Sequence, residues 1–294
     1  MIGRITSQQL VISAQRHLQD ASSQLARLQD QASSRRAITK PSDDPTATGN
    51  ALKVRAEQSN NEQYSRNIDD ANGWLATADS ALGETTDVLR RLRDLTLQAA
   101  NGASSSAGTR ETLAVEIEQL GDQLFGIANT RYLGRNIFAG TSGEEGAYRP
   151  DFTYTGVAGA TVERRIAEGT TVQVDADGAA VFGDGATSVF ALVKEVAADV
   201  RAGVDVTARI DEFDARFDAA SAQRSIIGAR EASVERAQTT NLDRGLALET
   251  QRSGIEDVDL AQVLTQLAAQ DVAHQAALGV TAQSVPQSLL DFLR

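Results

Sequence analysis

Residues 253–294 read SGIEDVDLAQVLTQLAAQDVAHQAALGVTAQSVPQSLLDFLR. Gly254 predicts a break in the preceding helix. Ser253 with Glu256, Asp257 and Asp259 marks a new start, because carboxylates favour the positive end of a helix dipole. Leu260, Val263, Leu264, Leu267, Ala268, Val272, Leu278, Ala282 and Val285 then recur mostly at three- and four-residue steps, which makes one apolar helix face. Asp271, His274 and Gln275 interrupt that face. The stretch holds no catalytic grouping. A helix of this kind is marginal in water unless something covers its stripe, and the best candidate is the other end of the chain.

That end carries a matching seam. Val11, Ala14, Leu18, Ala21, Leu25, Leu28 and Ala32 alternate steps of three and four residues over about three heptads, the threshold for a coiled coil. Moving inward, Pro41 disfavours helix at Lys40, and Ser42 or Asp43 can cap a new helix with Pro45 in its first turn. Ile68, Ala71, Leu75, Ala78, Leu82, Thr85, Leu89, Leu92, Thr96 and Ala99 predict a helix of about 35 residues, near 50 Å long. Asn101-Gly102 ends it. Leu113, Ile117, Leu120, Leu124 and Ile127 predict a return helix, completing an antiparallel hairpin.

From Gly134 the texture changes to glycine-punctuated short runs. Residues 152–155, 162–166, 170–174 and 180–182 read as strands of a small antiparallel insert, with turns at Asp175-Ala176-Asp177-Gly178 and Gly183-Asp184-Gly185. Helical patterning returns at Val189, breaks at Gly203, and resumes from Ile210 through Phe213, Phe217, Ala220, Ile227, Val234, Leu242 and Leu246. The predicted class is mainly α: an elongated antiparallel helical rod or coiled-coil bundle built from both chain termini, with a small central β-rich insert. Its expected parts are an assembly helix over 1–40, a helical hairpin over 41–137, the insert over 138–186, returning helices over 187–254 and a second assembly helix over 255–294.

Composition narrows function. The chain is acidic, with 28 Lys+Arg against 40 Asp+Glu and a net charge of -12, so the phosphate contacts that dominate nucleic-acid affinity are disfavoured. Cysteine is absent, which removes thiol and Cys-zinc chemistry. Aromatics are only 4% of residues, which suits Ala/Leu seams better than a ring-anchored globule. No apolar run reaches the ~18–20 residues needed to cross a bilayer, and the first residues lack the pattern of a cleaved secretory signal. His17 and His274 stand outside any metal-ligand spacing. The Asp175–Gly178 run lacks the closing ligands of a calcium loop. No nucleophile elbow or phosphate loop occurs. An enzyme is therefore not expected, nor any cofactor.

The pieces without chemistry match one family. The run IGRITSQQL near the start, the Lys40-Pro41-Ser42-Asp43-Asp44-Pro45 break, the run Asn129 to Gly140 (NTRYLGRNIFAG), and the terminal Ile255–Ala261 and Ser288–Leu293 stretches resemble the flagellin superfamily in order and spacing. The last two stretches are most similar to the junction proteins between flagellar hook and filament, with filament flagellin as the alternative. The resemblance implies an extracellular structural protein of the bacterial flagellum, exported by the flagellar type III apparatus without a cleaved signal peptide. It implies a ring of subunits (self-association) joining the other hook-associated junction protein to the first flagellin subunits, and an export chaperone at the C-terminal helix. The expected assembly interface is Val11, Ala14, Leu18, Ala21, Leu25, Leu28, Leu260, Val263, Leu264, Leu267, Leu278, Leu289, Leu290 and Phe292, with Pro41, Ser42, Asp43, Asp44 and Pro45 as the family motif. The terminal segments are expected to order fully only when neighbouring subunits bury their stripes, because the entropy of fixing them is otherwise poorly offset.

Overall fold

A computed structural model describes residues 2–101, 106–157 and 159–284; side chains at residues 2–8, 10, 11 and 282–284 are outside the description. Among these residues the fold is mainly α. Helix α1 spans Ile2–Ser34, α2 Pro45–Ala100 and α3 Ala107–Ala128. Two short antiparallel hairpins follow, β1 (Arg131–Tyr132) with β2 (Arg135–Asn136), and β3 (Glu163–Ala167) with β4 (Thr170–Gln173). Then come α4 (Gly178–Phe182), a 3-10 turn at Gly185–Thr187, α5 (Val189–Ala202), α6 (Thr207–Glu256) and α7 (Leu260–Ser284). The chain divides into two compact units, one drawn from both chain ends (up to residue 59 and from residue 245) and one from residues 60–244.

The second unit is built on the strongest periodicity in the sequence. Ile68, Ala71, Leu75, Ala78, Leu82, Thr85, Leu89, Leu92 and Thr96 are all buried along α2, as their spacing predicts. The threonines avoid a desolvation cost by bonding within the helix, Thr85 Oγ1 to Ala81 O at 2.8 Å and Thr96 Oγ1 to Leu92 O at 2.7 Å. On α6, Phe213, Ala220, Ile227 and Val234 recur every seven residues and are each fully buried, the signature of a coiled-coil seam. Continuing that seven-residue step reaches Asn241 and Leu248, both buried. Leu242 and Leu246, expected on the seam, are 60% and 70% exposed because the heptad places them on the opposite side.

Several boundaries differ from expectation. α2 is a single helix of 56 residues rather than two. Asp44, not Ser42 or Asp43, caps it: Asp44 Oδ1 accepts from Ala47 N at 2.8 Å, while Asp43 closes the preceding turn by accepting from Thr39 and Lys40. Of the expected insert, residues 163–167 and 170–173 pair as strands, and the expected strand at 152–155 is reduced to an isolated antiparallel bridge between Tyr148 and Tyr154. Asp175 is buried and accepts from Val162 N at 2.7 Å, and Asp177 caps α4 through Ala180 N, so that run is not a hairpin turn. Residues 180–182 are helical. The insert is held by rings: Phe138 meets Phe182 edge-on at 5.1 Å, and Tyr148 meets Phe190 at 5.0 Å. Phe138, Tyr148, Phe152, Tyr154 and Phe182 lie in the insert and Phe125 and Phe190 pack against them, a gathering that average composition does not reveal. The Tyr148 hydroxyl reaches the carbonyls of Gly178 and Gly183, and burial pushes its pKa up.

Candidate assembly surface

The unit made from the chain ends pairs α1 with α7. Val258 N donates to Arg35 O at 3.2 Å, Ala37 N donates to Glu256 O at 2.7 Å, and Gln270 Nε2 reaches Ala21 O at 3.3 Å, so the two helices run antiparallel. On α1, Ala14, Leu18, Ala21, Leu25, Leu28 and Ala32 are the half-buried stripe, as their spacing predicts. On α7 the less exposed stripe is Val263, Leu267, Gln270, His274, Ala277 and Thr281, again in steps of four and three. Val263 is buried and Leu267 half-buried, as expected. Gln270 and His274 belong to this seam, so the histidine does not interrupt it, and Asp271 and Gln275 lie exposed beside it.

Leu260, Leu264 and Leu278 do not join the pair. With Ala268, Val272, Ala276 and Val280 they are exposed, and 260, 264, 268, 272, 276 and 280 form one continuous ridge of every fourth residue. Such a row is what one helix inserts into the groove of another. The tail therefore has two apolar faces, where its sequence suggested one. The side chain of Val11, and all of Leu289, Leu290 and Phe292, lie outside the described residues.

The break before α7 also departs from its sequence signs. Helix α6 runs through Gly254 to Glu256, and Asp259 caps α7 by accepting from Ala261 N at 2.9 Å. Gly254 does not end a helix because glycine costs an interior position only about 1 kcal/mol. Glu256 is instead the centre of a latch. Its side chain is 5% exposed, Arg55 Nη2 donates to Oε2 at 2.8 Å with Nε 2.7 Å from Oε1, and Arg252 Nη1 lies 3.3 Å away. Arg55 and Glu256 are 201 positions apart, a pairing no local pattern announces. The motif residues Pro41, Ser42, Asp43 and Asp44 form the exposed turn just before the helix that carries Arg55, and Pro45, also exposed, is that helix's first residue.

The Arg55 hydrogen bond, against the opposing pull of burial, holds the Glu256 carboxyl below its usual value of 4.5. A depressed carboxylate pKa contributes stability that is present above the ordinary value and is lost as pH falls through the depressed one. Protection of the Ala37 and Val258 amides in hydrogen exchange, corrected for intrinsic rate, should therefore drop as pH falls below about 4.5. In Glu256→Gln it should be lower already at neutral pH and insensitive to acid. Equal acid sensitivity in both proteins would remove the latch from the account.

Among the described residues no cluster of three or more His, Cys, Asp or Glu is placed to hold a metal, and no helix is long and apolar enough to cross a membrane. The family model of the bacterial flagellin N-terminal helical region matches residues 5–143, and that of the C-terminal helical region matches residues 210–293. The chain belongs to the flagellin family. It is a structural component of the bacterial flagellum and not an enzyme, and the resemblance carried by the Lys40–Pro45 break and the terminal stretches holds.

Within the family the chain is similar to members of both kinds. It is 28% identical over 277 residues to the flagellin of Bacillus subtilis, covering 87% of this chain and 88% of that protein. It is 24% identical over 302 residues to flagellar hook-associated protein 3 of Salmonella typhimurium, covering 93% and 94%. Its fold is shared with a flagellar hook-associated protein from Vibrio parahaemolyticus, at a TM-score of 0.66 and 20% identity over 73% of this chain and 100% of that one. Bacillus cereus FlgL gives a TM-score of 0.60 at 23% identity, over 68% and 99%.

Proposed function

We propose that this flagellin-family chain forms an adaptor ring at the hook–filament junction, joining the other hook-associated junction protein to the first flagellin subunits. The observation that carries assembly is the exposed ridge on α7 from Leu260 to Val280, an apolar face left over after α1 has taken the other. The junction position is supported by the near full-length match to hook-associated protein 3. Export through the flagellar type III apparatus, with a chaperone holding the C-terminal helix until release, follows from the same kinship. The protein would then work outside the cell. A second reading, filament subunit, is favoured by the match to Bacillus subtilis flagellin.

A deletion strain separates the two. Hooks without filaments, with flagellin released into the medium, support the adaptor. Missing filaments with no flagellin in the medium would make the chain the filament subunit, and normal filaments would contradict both.

The terminal pair is proposed to complete its ordering on assembly, since α1 has only a half-buried stripe and α7 keeps one face bare. Limited proteolysis of the monomer should cut within α1 and α7 at least ten-fold faster than within residues 60–244, and assembly should remove the difference. Equal resistance of both units in the monomer would reject this ordering.

A further inference from the structure

The turn at Lys40–Pro45 is one wall of a small cavity. It lies within the unit made from the chain ends, and its lining includes Arg36, Lys40, Thr48, Leu52, Arg55 and Glu256. Its volume is about 160 Å³. That is below the roughly 300–1,000 Å³ of a small-molecule site, and enough for the end of one side chain.

The charges around it do not cancel. Glu256 is taken up by Arg55 and Arg252. Arg36 and Lys40 are both exposed, and neither forms an ion pair among the described residues. The carboxylates nearest in the chain are committed elsewhere. Asp43 accepts from the Thr39 and Lys40 amides, and Asp44 caps α2. Asp257 is bridged to Arg36 through the main chain, while its charge acts on Arg252. Leu52, 61% exposed, adds an apolar wall, beside which an ion pair is screened less than in open water.

The cavity also holds an unmet donor. The Thr48 hydroxyl is buried and has no hydrogen-bond partner among the described residues. A buried polar group left unpaired lowers the stability of its own fold, so the hydroxyl and the two cations together call for an acceptor that arrives from outside. The charge distribution says what brings it. Residues 1–59 hold eight Lys and Arg against five Asp and Glu, whereas the other 235 residues hold 20 against 35. The cavity lies in the basic stretch of an otherwise acidic chain, and a second copy presents carboxylates to it.

We propose that the cavity receives an exposed Asp or Glu side chain of a neighbouring copy, paired with Arg36 and Lys40 and hydrogen-bonded by the Thr48 hydroxyl. Cavity and carboxylate are different patches of one chain, so the contact is head-to-tail and can repeat around a ring. It names one contact of the ring reading above and rests on that reading.

The chain has three lysines, Lys40, Lys53 and Lys194, which allows a clean test. Intact flagella are isolated and treated with a water-soluble carbodiimide, which joins an amine to a touching carboxylate with loss of water. Multimers of this chain on denaturing gels, joined by an amide between Lys40 and an Asp or Glu, are the expected result. Lys40→Arg keeps the charge and removes the amine, so it should enter flagella normally and lose those multimers. Flagella that contain the chain but yield no Lys40-linked multimer would overturn the proposal, as would Lys40 joined to a different protein. An unsubstituted chain missing from isolated flagella would overturn the ring reading itself.

Two further variants probe the site without cross-linking. Lys40→Glu should leave the monomer's melting temperature unchanged and lower incorporation into flagella by about ten-fold or more. Thr48→Val keeps the shape without the hydroxyl, so it should melt no lower and incorporate about three-fold less or worse. Normal incorporation of Lys40→Glu would reject the carboxylate, and normal incorporation of Thr48→Val would reject the hydroxyl's part in holding it.

Discussion

Leu264→Asp is expected to abolish assembly of the chain while leaving its helix content and melting temperature unchanged. Leu264 is 50% exposed on the α7 ridge, so the carboxylate remains hydrated in the free subunit and costs it little. Burying that charge against a neighbour's apolar surface costs several kcal/mol, and about 1.4 kcal/mol is already ten-fold in association. A ring repeats the penalty at every contact. Val263→Asp is the contrasting control: Val263 is 4% exposed against the rest of its unit, so the change should separate α7 from α1 and lower helix content in the monomer. Sedimentation together with circular dichroism reads both. If Leu264→Asp also loses helix content, the ridge belongs to the subunit's own core and is not an assembly face.

The second large effect lies in the other unit. Leu82 is fully buried on α2, in a core shared with α3, α5, α6 and the aromatic insert. Leu82→Ala should destabilise that unit by about 2–5 kcal/mol, the transfer cost of the lost atoms plus the cavity they leave. Urea titration should show this as a lower midpoint with an unchanged slope. Leu242→Ala and Leu246→Ala, at positions that share helical spacing but not burial, should change stability by no more than about 0.5 kcal/mol. Equal losses at Leu82 and Leu246 would mean that the heptad on α6 has been assigned to the wrong face.

These contrasts show what periodicity conveys. The α2 stripe from Ile68 to Thr96 was legible because one side of a long helix is buried almost continuously, and apolar spacing alone locates it. The α1 stripe was legible from the same three- and four-residue steps, although its residues are only half-buried. On α7 two apolar faces overlap, and apolar spacing merged them. Val263 turns inward while Leu260 and Leu264 turn outward, and the seam includes Gln270 and His274, which a hydrophobicity pattern discards.

Leu242 and Leu246 misled in the opposite way, since the position inside the heptad was taken by Asn241. Its main-chain carbonyl accepts from Asn61 Nδ2 at 3.1 Å, a partner 180 residues away. The insert was least legible. Its order rests on ring contacts among residues far apart in sequence and on side chains such as Asp175 that satisfy backbone donors. Local strand propensity at residues 180–182 lost to the Asp177 cap. The Arg55–Glu256 latch left no local mark, since Glu256 reads as part of an acidic helix start and its partner lies 201 positions away.

Where this chain sits along the flagellum is the most direct test of its role. Intact flagella labelled with a gold-conjugated antibody raised against residues 60–244, and viewed by electron microscopy, should carry gold in one narrow band where hook meets filament. Gold distributed along the whole filament would contradict the adaptor and make the chain a filament subunit.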